Sequence, residues 1–262
     1  KDAAGTALFL CELAALLKNE NKNISVYLDD IYKQFGYHTH KQTSLIFSGA
    51  EGRTKIDKII STLRKGKPST IGKFNVIKTI DRWDGKNFVS ATDKSSRNIL
   101  TFFLEPSNNN IDFIKITIRP SGTEPKIKIY IEVGGKPLSN ISLEKQKSEL
   151  EQLTVETIDS FTKIAYSSVD INMPKRGFRL SSLLPVETKL KYFEVEKNLL
   201  KLEAKLQAKE ISKEELQASV KEMLRVFGQD PVEKINDAFK EKKGITLHKF
   251  ISENLKLDLL EL

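Results

Sequence analysis

The residues best suited to chemistry lie in one short stretch, IRPSGTEPKIKIYIE, at positions 118–132. Arg119 stands immediately before a Pro-Ser-Gly-Thr bend. Pro120 fixes one backbone dihedral and Gly122 permits a positive one, so the bend can fold into a concave turn. Such a turn aims successive backbone N–H groups at one point and forms a nest that binds anions. The stretch therefore predicts an anion-binding loop.

The side chains around the bend favour phosphate as the anion. The hydroxyls of Ser121 and Thr123 add two neutral donors, and the guanidinium of Arg119 matches phosphate oxygens with parallel hydrogen bonds. On the following strand, isoleucines alternate with Lys126 and Lys128, which places both lysines beside the bend on the face opposite the core. The alternative interpretation is an ordinary turn with exposed lysines at a sheet edge, because short glycine loops are weak signals.

The elements that must position this bend follow from the hydrophobic period. Residues 37–47 alternate as a strand, and residues 49–66 return to helical spacing. Between residues 71 and 133, four segments of period two are separated by Gly, Asn, Ser and Pro turns. A long helix is predicted at 142–165. This order predicts an α+β layer in which helices cover one face of an antiparallel sheet.

Helical sequence flanks the predicted layer on both sides. The apolar run ALFLCELAALL at 7–17 is apolar on nearly every face, so we expect a deeply buried helix with Cys11 in the core. Towards the C-terminus, Ser212 and Glu215 have the spacing of a capping box, which marks the start of a helix. Residues 187–262 are therefore predicted to be a small all-α region.

Composition and charge limit the class of protein. The 262 residues carry 43 Lys and Arg against 35 Asp and Glu, a net charge of +8, but the lysines alternate with acids. Because nucleic-acid binding needs a clustered basic footprint, the pattern argues against a nucleic-acid partner. The apolar run is too short for a bilayer and has no signal-peptide flanks, which predicts no membrane partner and a cytoplasmic location. One cysteine excludes a disulfide scaffold.

The segment RPSGTEPKIKIY closely resembles the C-terminal signature of the α-D-phosphohexomutases, the family of phosphoglucomutase and phosphomannomutase. Its flanks agree with this resemblance. KDAAGTALFLCELAALLK and LDDIYKQFGYH look like the end of that family's third domain and its passage into the fourth. RNILTFFLE resembles the strand that precedes the loop in bacterial-type phosphoglucomutases. The resemblance covers roughly residues 1–165.

The resemblance implies a division of the chain into parts. Residues 1–36 would be the C-terminal helices of the third domain, and residues 37–165 would be the fourth domain, a TATA-binding-protein-like antiparallel sheet covered by helices. Residues 166–186 would form a linker to a helical extension at 187–262. We expect this extension to dock on its own enzyme or to pair two subunits as a homodimer; a fused partner-binding module is the alternative.

The resemblance also implies an activity. Family members interconvert hexose 1-phosphate and hexose 6-phosphate through a phosphoserine and a bisphosphorylated sugar, as intramolecular phosphotransferases of the isomerase class. Their fourth domain grips the phosphate that is not reacting. Carried over to this sequence, Arg119, Ser121, Gly122 and Thr123 would form the phosphate cradle. Lys128 falls where the family often places a basic residue on the following strand.

The catalytic parts of the family are not found in this chain. It has neither the phosphorylated serine in a Ser-His-Asn context nor the Asp-x-Asp-x-Asp metal loop, so we predict no catalytic residue and no metal ligand. Lys1 matches a third-domain lysine that approaches the active site. The intact enzyme would use Mg²⁺ and glucose 1,6-bisphosphate, act on a phosphorylated hexose, and include domains 1–3 ahead of this chain.

By itself, the chain would then be an inactive C-terminal fragment. The alternative is a non-catalytic binding or assembly module in which the helical tail mediates protein or nucleic-acid interaction and the loop is inert.

Overall fold

A computed structural model of the protein describes residues 2–85, 97–139 and 141–258. Helices occupy both ends of the described chain, and strands occupy its middle. The elements run in the order α1 Ala3–Asn19, α2 Ile24–Phe35, β1 His38–Ile46, α3 Gly52–Gly66, β2 Thr70–Ile71, β3 Phe74–Asp81, β4 Leu100–Leu104, β5 Ile111–Pro120, β6 Lys126–Gly135, α4 Leu143–Ser167, α5 Val186–Gln207, α6 Lys213–Arg225, α7 Pro231–Lys243 and α8 Leu247–Lys249. Helix α8 continues as a π-helical turn at Phe250–Asn254, and 3-10 turns lie at Arg82–Asp84 and Lys175–Arg179.

Six strands form an antiparallel sheet in the order β1-β6-β5-β4-β3-β2. The predicted α+β class is confirmed, and each predicted strand is present. β5 and β6 form a long hairpin, and β1 pairs with the other edge of β6. The two-residue strand β2 was not predicted, because two residues carry no alternation that a period could detect.

One face of the sheet is buried beneath α3 and α4. The isoleucines of β5 and β6 point to this face, and Ile118 and Ile129 are fully buried. The apolar stripe of α3 packs in the same core, with Ile56, Ile59, Ile60 and Leu63 buried. Burial of this apolar area is the main stabilisation of the layer, at about 25 cal/mol per Å². The opposite face carries polar side chains that stay partly exposed.

Gly36 makes the turn from α2 into β1. Its φ is +90°, and a β-carbon built at this position would lie 1.9 Å from the carbonyl oxygen of Gly135. A side chain would therefore be strained by the backbone and would also clash with β6. The approach of α2 to the sheet depends on this glycine.

A second hydrophobic core lies within the helical region after residue 180. Tyr192, Leu199 and Leu202 of α5 are buried in it, together with residues from α6, α7 and α8. The predicted capping box is present, with reciprocal hydrogen bonds between Ser212 and Glu215. The helical character predicted for this region is seen as far as the described residues extend, whereas the domain boundaries themselves stay a prediction.

Helix α1 is exposed, so the expectation of a deeply buried helix is wrong. Leu8 is 72% exposed and Phe9 is 63% exposed, and Cys11 is exposed rather than in the core. α1 packs mainly on α2. An apolar composition makes burial of a helix favourable, but burial also requires another element that packs against the helix. Of the helices that the structure describes, none is long and apolar enough to cross a membrane.

Candidate functional site

The predicted anion-binding bend is the β5–β6 loop, residues 121–125. The Ser121 N–H donates to the carbonyl oxygen of Lys126 at 2.8 Å, and the Lys126 N–H donates to that of Glu124 at 2.7 Å. The hydroxyl of Ser121 accepts a hydrogen bond from the Glu124 N–H at 3.4 Å. Among the described residues, the N–H groups of Gly122 and Thr123 have no acceptor. The loop therefore offers two adjacent backbone donors.

Gly122 does not adopt the positive φ that the sequence suggested, and this expectation is corrected. The hydrogen bonds that close the loop provide its curvature instead. A β-carbon built at Gly122 meets no atom within 4 Å. The glycine thus leaves open space next to a free N–H group, which suits the close approach of a ligand to the backbone.

Arg119 and Lys128 stand directly opposite each other on β5 and β6. Both side chains lie on the face of the sheet away from the core. Arg119 is exposed, and within the described ranges neither side chain has a hydrogen-bond or ion-pair partner. Like charges directly opposite in a sheet are destabilising. An anion bound between them would remove this repulsion.

The predicted residues line one open cavity of about 340 Å³. Its lining consists of Arg119, Pro120, Ser121, Gly122, Thr123, Glu124, Lys126 and Lys128. The structure thus brings together the four residues predicted for the phosphate cradle and Lys128. Lys126 forms an ion pair with Glu124, so the charge of Lys126 is compensated locally. The remaining predicted position, Lys1, lies outside the described residues.

Arg53 belongs to the surroundings of the loop, and the sequence analysis missed it. Its Nη1 donates to the carbonyl oxygen of Ser121 at 3.0 Å. Arg53 lies in the first turn of α3, 68 residues before its partner. No local period connects positions so far apart. The one available signal was an arginine at the start of a helix that follows β1.

The described residues do not fit a metal site. They contain no group of three or more His, Cys, Asp and Glu side chains placed to hold an ion. His38 and His40 are exposed on β1. The Mg²⁺ implied by the family resemblance has no ligand set in these ranges, so no role is assigned to it here.

Comparison with known proteins supports the resemblance read from the loop. The chain is 35% identical to a phosphopentomutase of Homo sapiens over 165 residues, which cover 58% of the chain and 25% of that protein. Over 136 residues it is 33% identical to a probable phosphomannomutase of Haemophilus influenzae, covering 52% and 24% of the two chains. A phosphoglucomutase of Staphylococcus epidermidis is 34% identical over 136 residues, covering 51% and 24%. The chain resembles the phosphohexomutases over about half of its length.

These phosphohexomutase relatives are much longer than the matched region. The chain spans about a quarter of the length of the curated relatives that it matches. Among solved structures, it is similar to the pp63/parafusin phosphoglucomutase of Paramecium, with a TM-score of 0.30 and 15% identity over 60% of this chain and 26% of that one. No protein-family model matches the chain.

Proposed function

We propose that the β5–β6 loop binds the phosphate group of a phosphorylated sugar, as part of a phosphohexomutase. The observation that carries this proposal is the pair of Arg119 and Lys128 beside the N–H groups of Gly122 and Thr123, all of which lack a partner among the described residues. A phosphate offers enough oxygens to accept from all of these donors at once. The relatives support a phosphosugar ligand, since they are named phosphopentomutase, phosphomannomutase and phosphoglucomutase.

In the intact enzyme, this phosphate would be the one that does not react. A phosphate held far from the reacting hydroxyl is a remote handle, whose binding energy orients the reacting end of the sugar. The phosphoserine, the metal ion and the bisphosphorylated intermediate would belong to the other parts of the enzyme. Because the relatives' names cover pentose, mannose and glucose phosphates, we expect the loop to recognise the phosphate group rather than the sugar.

Substitution of Arg119 tests the proposal on the full 262-residue chain. We expect glucose 1,6-bisphosphate to shift the amide resonances of Gly122 and Thr123 in NMR titrations, and unphosphorylated glucose to leave them unchanged. Arg119→Ala should raise the Kd about tenfold or more, because a hydrogen bond to a charged group contributes about 1.5–3 kcal/mol.

Lys115→Ala is the matched control for this substitution. It removes one positive charge from the same face of β5, but Lys115 is paired with Glu132 at 2.6 Å and lies outside the loop. An equal loss of affinity in both variants would show that net charge, rather than the loop, attracts the ligand. Glucose shifts equal to those of the bisphosphate would exclude phosphate recognition.

The alternative function, a binding or assembly module, predicts a different pattern. It predicts no response of the loop amides to the phosphosugar. It further predicts that the helical tail retains a protein or RNA, and RNA binding would weaken steeply as salt is added.

A further inference from the structure

The helical extension contacts the residues that support the β5–β6 loop. We propose that Glu187, in the first turn of α5, is a positioning residue for this loop and sets its affinity for phosphate. The inference rests on the proposed function of the loop. It gives the extension at 187–262 a role at the site, a possibility that the sequence did not raise.

Glu187 holds one segment of the chain at two points. This bracing segment, residues 47–55, runs from the end of β1 into the first turn of α3. Glu187 Oε2 accepts from the Ser48 N–H at 3.1 Å, and Oε1 accepts from Lys55 Nζ at 3.3 Å. A carboxylate in the first turn of a helix is also favoured by the helix dipole. One side chain of α5 therefore restrains both halves of the bracing segment.

The bracing segment in turn holds the β5–β6 loop at both of its ends. The Phe47 N–H donates to the carbonyl oxygen of Pro125 at 3.0 Å. Arg53, which lies between Ser48 and Lys55, donates to the carbonyl oxygen of Ser121 at 3.0 Å. Four hydrogen bonds thus connect Glu187 to the first and last residues of the loop.

The end of β1 and the start of α5, which this connection joins, are both anchored in the sheet core. Phe47 and Val186 are both buried there, and Pro185 forms a parallel bridge with Ile46. Ser48 and Arg53, in contrast, are exposed. Their positions depend on hydrogen bonds more than on packing. Loss of the Glu187 carboxylate should therefore loosen Ser48 and Arg53 without removing any side chain from the core.

Glu187→Ala in the full chain tests the connection before any ligand is added. We expect the amide resonances of Gly122 and Thr123 to shift in the ligand-free protein. The Kd for glucose 1,6-bisphosphate should rise about fivefold, the effect of losing one typical hydrogen bond. Glu187→Gln keeps an oxygen that can accept from the Ser48 N–H, so it should restore most of the affinity.

Asp170→Asn is the matched control, because asparagine keeps the left-handed backbone conformation of Asp170, with φ of +60°. Asp170 pairs with Lys58 of α3 at 3.0 Å, so this variant also removes a carboxylate that pairs with a lysine of that helix. Among the described residues, Asp170 makes no hydrogen bond or ion pair with the bracing segment, so both readouts should stay unchanged. A general loss of stability would instead affect the two variants alike.

A double substitution tests the route of the coupling. In an Arg53→Ala background, Glu187→Ala should change the loop resonances less than it does alone, because Arg53→Ala already removes the contact with Ser121 and leaves only the contact between Phe47 and Pro125. The inference is overturned if Glu187→Ala moves the Ser48 resonance but leaves the loop resonances and the Kd unchanged. If the wild-type chain binds no bisphosphate, the proposed function fails, while the ligand-free resonances still decide whether Glu187 positions the loop.

Discussion

Arg119 and Lys128 differ from Lys115 and Lys126, which lie on the same face of the sheet. Lys115 pairs with Glu132, and Lys126 pairs with Glu124, so each of these charges is balanced by a neighbour. The pair beside the loop has no such balance within the described residues. An unbalanced pair at a loop with free N–H groups is the arrangement expected of an anion site. At the scale of single residues, function is indicated by what the fold leaves without a partner.

Gly122→Ala separates folding from binding at this site. Because φ is not positive and a β-carbon meets no atom within 4 Å, the free energy of unfolding should change by less than about 0.5 kcal/mol. The added methyl group would occupy the open space beside the proposed phosphate, so the Kd for glucose 1,6-bisphosphate should rise. Thermal unfolding and NMR titration of the same sample measure both effects. A fall in stability with unchanged affinity would contradict the assignment.

At the scale of elements, α5 joins two environments. Its first turn packs on the sheet core through Val186, and the rest of the helix packs in the second core. Lys189 lies where these environments meet and is 4% exposed. It lines a small cavity of about 30 Å³ together with Thr43, Thr162 and Tyr166. Burial lowers the pKa of Lys189 to about 8.

Lys189→Met should therefore stabilise the protein at neutral pH, by on the order of 2 kcal/mol. Methionine has a side chain of similar length to that of lysine, and the substitution removes the buried ammonium group. The folded-state pKa lies below the usual 10.5, so the cost of burial is complete below pH 8. This cost declines as the pH rises from 8 towards 10.5. Within this window Lys189 keeps its proton in the unfolded chain but loses it in the folded protein. The stability difference between variant and wild type should shrink over this window in urea unfolding. A difference that is constant with pH would contradict burial of the charge.

At the scale of the whole molecule, the segment between the two cores is held by partly buried polar contacts. Arg176 donates to Glu196 Oε2 at 2.8 Å, and the Tyr192 hydroxyl donates to Oε1 of the same carboxylate at 2.6 Å. The hydrogen bond with Glu196 raises the pKa of the Arg176 guanidinium. Nearby, Arg179 pairs with Asp159 of α4 and with Glu241 of α7. These contacts link the sheet layer to the helical region.

Glu196→Ala should destabilise the protein by about 3 kcal/mol, because it leaves a half-buried guanidinium and a buried hydroxyl without their acceptor. Glu222→Ala is the control, since its pair with Arg225 is fully on the surface and should contribute less than about 1 kcal/mol. Denaturant unfolding of both variants measures the two values. Equal effects would show that the Glu196 network does not join the cores.

The sequence by itself determined the parts of this protein that depend on neighbouring residues. The period-two segments predicted the strands, including the isoleucines of β6 that face the core. The spacing of Ser212 and Glu215 predicted a helix start that the structure contains. The anion-binding stretch from Arg119 to Thr123 was predicted from the residue types within one turn. Such features are local, because the backbone period and the turn residues act over a few positions.

Only the tertiary structure decided what lies against these parts. It left α1 exposed despite its apolar composition, and it set Arg119 opposite Lys128 through the register of two strands. It also brought Arg53 and Glu187 towards a loop that lies more than sixty residues away in sequence from either of them. The physical reason is that packing and register are chosen by the whole chain at once. A side chain's sequence neighbours show which face it occupies, but not which surface meets that face.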